Sequence, residues 1–407
     1  MPLDLILRSA RLAGAPTTVD IGLEGGRIAA IEAAISADAP KLDAGDRFVC
    51  AGLVETHIHL DKSCICDRCG PTESLKQAIA AVAAAKRDFT EGDVYDRARA
   101  TLEKSILHGA MRMRTHVEVD PRIGLRGFRA LQKLKRDYAW AIDIELCAFV
   151  QEGLFNDPGA EDILVQALRN GADVVGGCPY ADSDPHGQIA RIFEIAREFD
   201  RPVDFHIDFD LDATWMDLDE ICRRTEAFGW GGRVAIGHAT KLSAASPARV
   251  EEAAHRLADA GVSLIVLPAT DLYLMGRDAD YDRPRGVAPA HRLATHGVVC
   301  AAATNNVLNP FTPYGDCSLI RMANLYANIA QLGAPEELAN CFGMISDRAA
   351  RAIGAENYGV RVGGPADLLA IDASDGAEAV ATVAQPALGI KGGRESFRRP
   401  QPTLNRP

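Results

Sequence analysis

The sequence predicts an α/β protein: a (β/α)8 TIM barrel over residues 50–362, with a small β-sandwich built from both chain ends, 1–49 and 363–407. Three observations predict it. Through the middle of the chain, short apolar runs alternate with amphipathic stretches, the pattern of parallel strands joined by crossover helices. Eight such runs can be counted, the number that closes a barrel. Both ends lack helical periodicity and alternate apolar with polar residues between glycine-rich turns.

Residues 3–49 break into short runs at Gly25-Gly26 and at Asp43-Ala44-Gly45-Asp46, which reads as several antiparallel strands. The apolar run Phe48-Val49-Cys50-Ala51-Gly52-Leu53-Val54 leads to the first barrel strand end, at His57. The other strand ends fall near His116, at Phe149–Gln151, at Val174–Cys178, at His206, at His238, at Leu264–Pro268 and at Thr304-Asn305. Helical periodicity fills 73–87, 91–108, 161–171, 188–199 and 248–260. Gly363 to Ile371 and Ala387 to Gly393 resume the short alternation, and the tail from Arg394 reads as a loosely held end. Barrel chemistry collects where the strands end, so residues far apart in sequence are expected to converge.

With 407 residues, 47% hydrophobic and 25% charged, the composition is that of a globular protein with a large core. A net charge of -12, from 44 basic and 56 acidic residues, argues against nucleic-acid and anionic-membrane partners and for a small-molecule substrate. No segment approaches the ~20 uninterrupted apolar residues of a membrane span. The N-terminal residues carry neither the basic flank nor the cleavage site of a signal peptide, so a cytoplasmic protein is expected. Of the ten cysteines, Cys50, Cys147 and Cys300 sit inside apolar strands as small hydrophobes, and no disulfide framework is expected. Cys64, Cys66 and Cys69 have the spacing of half a soft-metal site, but no second pair completes it, and a loop lining is the simpler reading.

His57-Ile58-His59 is the most informative motif. Alternate residues on a strand point the same way, so one cation can lie between both imidazoles. His206, His238 and Asn305 each end another apolar strand and are the candidate partners. Asn305 is the surprise, because a metal site that activates water wants a carboxylate that binds the ion and takes the proton. Strand alternation from His206 offers Asp208 first and Asp210 second as the substitute acid and base, against the simpler reading of a solvated acidic edge running on to Asp212. Phe209 either stacks on a planar ring or fills the barrel mouth. Arg114 and His116 either bind an anionic group or pair in the interior. Cys178 is a candidate nucleophile, with no base assigned to it.

Six segments carry a family likeness: Gly52-Leu53-Val54-Glu55-Thr56-His57-Ile58-His59-Leu60-Asp61-Lys62-Ser63, Arg114-Thr115-His116-Val117-Glu118-Val119, Gln151-Glu152-Gly153, Gly171-Ala172-Asp173-Val174-Val175-Gly176-Gly177, Gly237-His238-Ala239-Thr240, and Tyr358-Gly359 through Ala366-Asp367. On these residues the chain resembles the amidohydrolase superfamily, in the branch of cytosine deaminase and N-isopropylammelide amidohydrolase, over nearly its whole length. The resemblance implies one divalent metal ion, Zn or Fe with Mn as a further option, held by His57, His59, His206 and Asn305. It implies that His238 orients the activated water, that Gln151 hydrogen-bonds the substrate ring and that Lys62 lies at the pocket edge.

Two departures stand out. The strand-five segment of cytosine deaminase is His-Cys-Asp-Glu, whereas here it is His206-Ile207-Asp208-Phe209, without the proton-shuttling Glu. Strand eight carries Asn305, Asn306 and Asn309 where the relatives show Asp. Neutral groups in place of two carboxylates lower the negative charge of the pocket and favour an anionic substrate or substrate group.

The expected function is therefore hydrolysis of a non-peptide C–N bond in a small cyclic amide or amidine, a planar heterocycle, by metal-activated water. His238, Asp208, Gln151 and Lys62 are the expected catalytic residues; Gln151, Phe209, His116 and Asn306 are expected to bind substrate. The alternatives are a non-hydrolytic lyase or decyclising reaction, or ligand binding without hydrolysis. The retained histidines and Gln151 favour an enzyme, and a homo-oligomer is expected.

Overall fold

The computed structural model describes residues 3–355, 357–400 and 402–405. The first strands are β1 (Leu5–Ala10), β2 (Val19–Glu24), β3 (Arg27–Glu32) and β4 (Lys41–Asp43), in a sheet ordered β3-β2-β1-β4. β4 pairs parallel with β1, a departure from the antiparallel expectation. The segment between β3 and β4 makes this possible, because a parallel neighbour needs a crossover rather than a tight turn.

The chain then runs through β5 (Phe48–Ala51) into the barrel strands β6 (Leu53–Ile58), β7 (Ala110–Glu118), β8 (Asp143–Phe149), β9 (Val174–Gly177), β10 (Val203–Ile207), β11 (Val234–His238), β12 (Val262–Val266) and β13 (Cys300–Ala302). These eight form one parallel sheet in sequential order. Seven end at or beside the expected places, and β13 stops at Ala302, short of the expected Thr304-Asn305. The seam between β13 and β6 is closed just past the strands, where Asn305 N–H donates to His57 O at 2.8 Å and His59 N–H donates to Asn305 O at 2.9 Å. The buried Glu55 carboxylate strengthens the same seam by accepting from the amides of His57 at 3.2 Å and Thr304 at 3.1 Å.

Helix starts follow their caps. Thr90 caps Glu91–Leu107 and Ser246 caps Pro247–Ala260, each through its side-chain oxygen. The helix expected from 188 begins earlier, at Pro185, because Asp184 caps it and proline suits the first turn. Helix Asp347–Ala352 packs its alanines against Val54 and Ala235, near the strand starts, and so closes the barrel end away from the strand-end residues.

After the barrel come β14 (Leu368–Ile371), β15 (Pro386–Lys391) and β16 (Arg394–Arg398), which with β5 form a sheet ordered β16-β15-β14-β5. The stretch from Arg394, expected to be loose, is therefore an antiparallel edge strand through Arg398. Alternation gives this sheet two buried faces. Val49, Leu368, Ala370, Leu388 and Ile390 join the core shared with β1 and β2, whereas Phe48, Cys50, Leu369, Ile371 and Phe397 join the barrel core. Among the described residues, no helix is long and apolar enough to cross a membrane.

Candidate metal centre at the barrel strand ends

β6 and β10 deliver three imidazoles to one point. The Nε2 atoms of His57 and His59 each lie 3.1 Å from Nε2 of His206, and all three rings are buried. His206 Nε2 carries at most one proton, so it can donate to only one of the two. A cation satisfies all three lone pairs at once. Bonds of about 2.0–2.1 Å place two ligand nitrogens about 2.9 Å apart at a right angle and about 3.3 Å apart at the tetrahedral angle, which brackets the observed spacing. Burial pushes the pKa of each of these rings down, and the neighbouring histidines and Lys62 add to the effect, so neutral, ligand-ready imidazoles are favoured.

His116, from β7, completes a group of four histidines whose ligand atoms lie within 4.8 Å of one another. Its ring stacks on His57 with centroids 3.9 Å apart, and its Nε2 is 3.4 Å from Asp204 Oδ1. Asp204 in turn accepts from Arg114 at 3.0 Å. The Arg114 and His116 side chains are both buried, against this interior carboxylate.

The three strand-eight asparagines divide their roles. Asn309 donates to Lys62 O and to Asn306 Oδ1, and accepts from the Phe311 and Thr312 amides, stitching the loop together. Asn306 therefore has its oxygen engaged. The Asn305 amide is buried with neither its oxygen nor its nitrogen hydrogen-bonded, and its backbone sits between those of His57 and His59. A buried amide with both polar atoms free is costly unless something binds it. The three converging nitrogens and this amide fit a divalent ion.

Proton-carrying groups are arranged differently from the pattern alternation implies. Asp208 falls after the last residue of β10 and has φ +49°, so the two-residue repeat stops before it. Its two carboxylate oxygens accept from the Asp217 and Leu218 amides at 2.9 and 3.2 Å, at the start of helix Leu218–Phe228, and burial raises its pKa to about 7. Asp210 lies farther out, half exposed, 3.5 Å from Lys241 Nζ. His238, at φ +72°, bonds through Nδ1 to Asp271 Oδ1 at 2.6 Å, and Phe209 stacks on its ring at 3.7 Å.

Lys62 is buried beside the histidines and donates to Glu118 at 2.7 Å and to Gln151 Oε1 at 3.1 Å. Gln151 Nε2 faces Cys178 Sγ and the Tyr180 hydroxyl. Burial lifts the Cys178 thiol to about 12, which leaves no thiolate near neutral pH. A second ligand group, Glu118, Asp120 and Glu152, is already filled by the ammonium of Lys86, 2.6 Å from Glu118 and 2.8 Å from Glu152 and in contact with Asp120. Cys64, Cys66 and Cys69 are free thiols and form no metal-ligating group among the described residues.

The family model described as the amidohydrolase family matches residues 128–397. The chain belongs to the amidohydrolase family. This amidohydrolase is 27% identical over 402 residues to the N-isopropylammelide isopropyl amidohydrolase of Pseudomonas sp. (strain ADP), covering 96% of each chain. It is 28% identical over 347 residues to the pterin deaminase of Rhizobium rhizogenes, covering 83% of this chain and 78% of that protein. Among solved structures it is similar to 5-methylcytosine deaminase from Klebsiella pneumoniae liganded with 5-fluorocytosine, with a TM-score of 0.93 at 27% identity, covering 98% of this chain and 99% of that one.

Three carboxylates that touch the strand-end histidines were not singled out in the sequence: Glu55, Asp204 and Asp271. Glu55 and Asp204 carried a readable signal, since each is an acidic residue inside an apolar strand, two positions before a histidine. Asp271 had none, because it lies in a helical turn after β12 and its partner is 33 residues away.

Proposed function

We propose that this amidohydrolase hydrolyses a C–N bond of a small cyclic amide or amidine, releasing ammonia or an amine. The observation that carries the reading is the convergence of three Nε2 atoms at the barrel strand ends. The names of the relatives agree with it, since N-isopropylammelide, pterins and 5-methylcytosine are all small nitrogen heterocycles. His57, His59 and His206 would hold a divalent ion, Zn, Fe or Mn, with the Asn305 oxygen as a fourth, uncharged ligand. An ion bound there supplies Lewis acidity and makes water a nucleophile near neutral pH.

This chain's own groups do the rest. His238 Nε2 takes the proton as oxygen bonds to the ring carbon, and returns it to the departing nitrogen as the C–N bond breaks. Gln151 hydrogen-bonds the ring, with Lys62 fixing its orientation through Oε1. Phe209 and Tyr180, with ring centroids 5.8 Å apart, offer flat apolar surface to a planar substrate. Asn306 adds a neutral polar contact, and His116 acts from within the histidine cluster. Asp208 holds the loop after β10 to the helix that follows it. With Asn305 and Phe209 in place of carboxylates and Lys62 nearby, the site suits a heterocycle bearing an anionic group.

The test joins metal analysis to a turnover assay. Elemental analysis of the purified protein is expected to find about one divalent ion per chain, and ammonia or amine release is expected from a panel of aminopyrimidines, pterins and triazines. His57→Ala is expected to lose both metal and turnover. Full metal content in that variant would overturn the site.

A further inference from the structure

His238 is held from two directions. The Phe209 ring lies against its face at 3.7 Å, and Asp271 bonds it edge-on, 2.6 Å from Nδ1. Asp271 comes from helix Pro268–Leu274, at the end of the neighbouring strand β12, and is fully buried. Both of its oxygens are in use: Oδ1 faces His238 Nδ1, and Oδ2 accepts from the Leu267 amide at 3.1 Å. No hydrogen bond to His238 Nε2 is made by any described residue, and the His238 ring centroid lies 5.7 Å from that of His206 and 6.0 Å from that of His57.

We propose that Asp271 is the positioning residue of this site: it fixes His238 as the Nδ1–H tautomer and so presents a free Nε2 lone pair to the metal centre. The inference rests on the proton-carrying role given to His238 above. The reason is the chemistry of the two oxygens. An ionised carboxylate only accepts, so the proton of the shared hydrogen bond belongs to Nδ1. A neutral imidazole has one N–H, so Nε2 must then be the acceptor. The assignment matters more here than in a site with carboxylates on strands five and eight, because Asn305 and Phe209 bring no base there and Asp204, beside His116, is engaged by Arg114.

The same geometry predicts what Asp271→Asn does. The Leu267 amide is a fixed donor and needs an oxygen, so the single oxygen of the new side chain turns to it. The NH2 group then faces His238 Nδ1 and donates, which moves the ring proton to Nε2. The substitution is nearly isosteric, yet it reverses the tautomer.

The test uses full-length protein labelled with 15N-histidine, with His238 assigned by the signals lost in His238→Gln. In the wild type, Nδ1 is expected to resonate as a protonated nitrogen and Nε2 as an unprotonated one, and Asp271→Asn is expected to exchange the two. Turnover of Asp271→Asn is expected to fall about 100- to 10,000-fold in kcat with KM changed little, by analogy with the tautomer-reversing substitution in a serine-protease triad. In the His238→Gln background, Asp271→Asn is expected to cost nothing further in kcat, since it acts through that ring. An Nε2–H tautomer in the wild type, or an unchanged tautomer in Asp271→Asn, would overturn the proposal. The expected tautomers in a protein with no turnover on any heterocycle would instead count against the hydrolase reading and leave the positioning role standing.

Discussion

Asn305 is the side chain on which the proposed metal centre most depends. Its neighbours Asn306 and Asn309 have partners, whereas its own oxygen and nitrogen have none. An amide oxygen brings dipole but no charge, so three neutral imidazoles and an amide hold a dication less tightly than the same set with a carboxylate. Asn305→Asp is accordingly expected to raise metal affinity roughly tenfold or more, since ligand charge tunes metal binding; competition against a chelator measures it. Unchanged affinity would place Asn305 away from the ion. Cys178 gives a second prediction. With its thiol raised to about 12 by burial, it should resist alkylation of the native protein at pH 8, while the exposed Cys66 reacts. Mass-spectrometric mapping of the label decides, and rapid modification of Cys178 would show that the pocket opens far more than this structure does.

The strands were legible because each is a short apolar run, and those that lead to His57, His116, His206 and His238 carry a chemical signal as well as a hydrophobic one. What was not legible is what happens one residue past a strand. Asp208 alternates with His206 on paper, but the left-handed backbone at 208 turns its carboxylate to the helix amides instead. Contacts between elements were hidden for a related reason. Lys86 follows helix Leu75–Ala85 with nothing in the neighbouring sequence to mark it as buried, yet its ammonium lies among Glu118, Asp120 and Glu152. Burial opposes the charge on Glu118, but Lys62 and Lys86 hold its pKa low; Glu152 is raised, by burial first and then by the Glu118 charge. Removing the ammonium as Lys86→Met leaves Glu118 with Lys62 alone and takes the closest cation from Glu152. The folded pKa values of Glu118 and Glu152 then move up, and Glu152 already stands at about 7, so stability is lost as pH climbs from the unfolded value of about 4 through the folded ones. The expected cost is about 3–5 kcal/mol near pH 8 and less near pH 5. Urea unfolding at both pH values measures it, and an equal cost at each would show that the clamp is not electrostatic.

The two chain ends meet in a sheet that serves two cores, and this ties the small domain to the barrel. That both ends are β structure could be read from their alternation; that one face of β5, β14, β15 and β16 belongs to the barrel could not, because a period of two says which residues share a face and not what lies against it. Leu369, Ile371 and Phe397 lie on the barrel side, alongside Phe48 and Cys50. Lys391 adds a cross-link, bonding Asp143 at the start of β8 and Asp367 before β14, each at 2.7 Å. Burial of three large apolar side chains contributes roughly 5–9 kcal/mol at about 1.5–3 kcal/mol each, comparable with the 5–15 kcal/mol by which whole domains are stable. The barrel should therefore not stand without this sheet. A chain ending at Val362 is expected to be unfolded or aggregated, and the intact protein is expected to unfold in one transition when followed by far-ultraviolet circular dichroism and by tryptophan fluorescence. Trp140, Trp215 and Trp230 all lie in the barrel half of the chain, so fluorescence reports on the barrel while circular dichroism reports on both parts. Coincident curves would mean that the geometry of the strand-end histidines depends on strands from both ends of the chain. A folded, monomeric truncation, or two separated transitions, would show that the barrel holds its strand ends unaided.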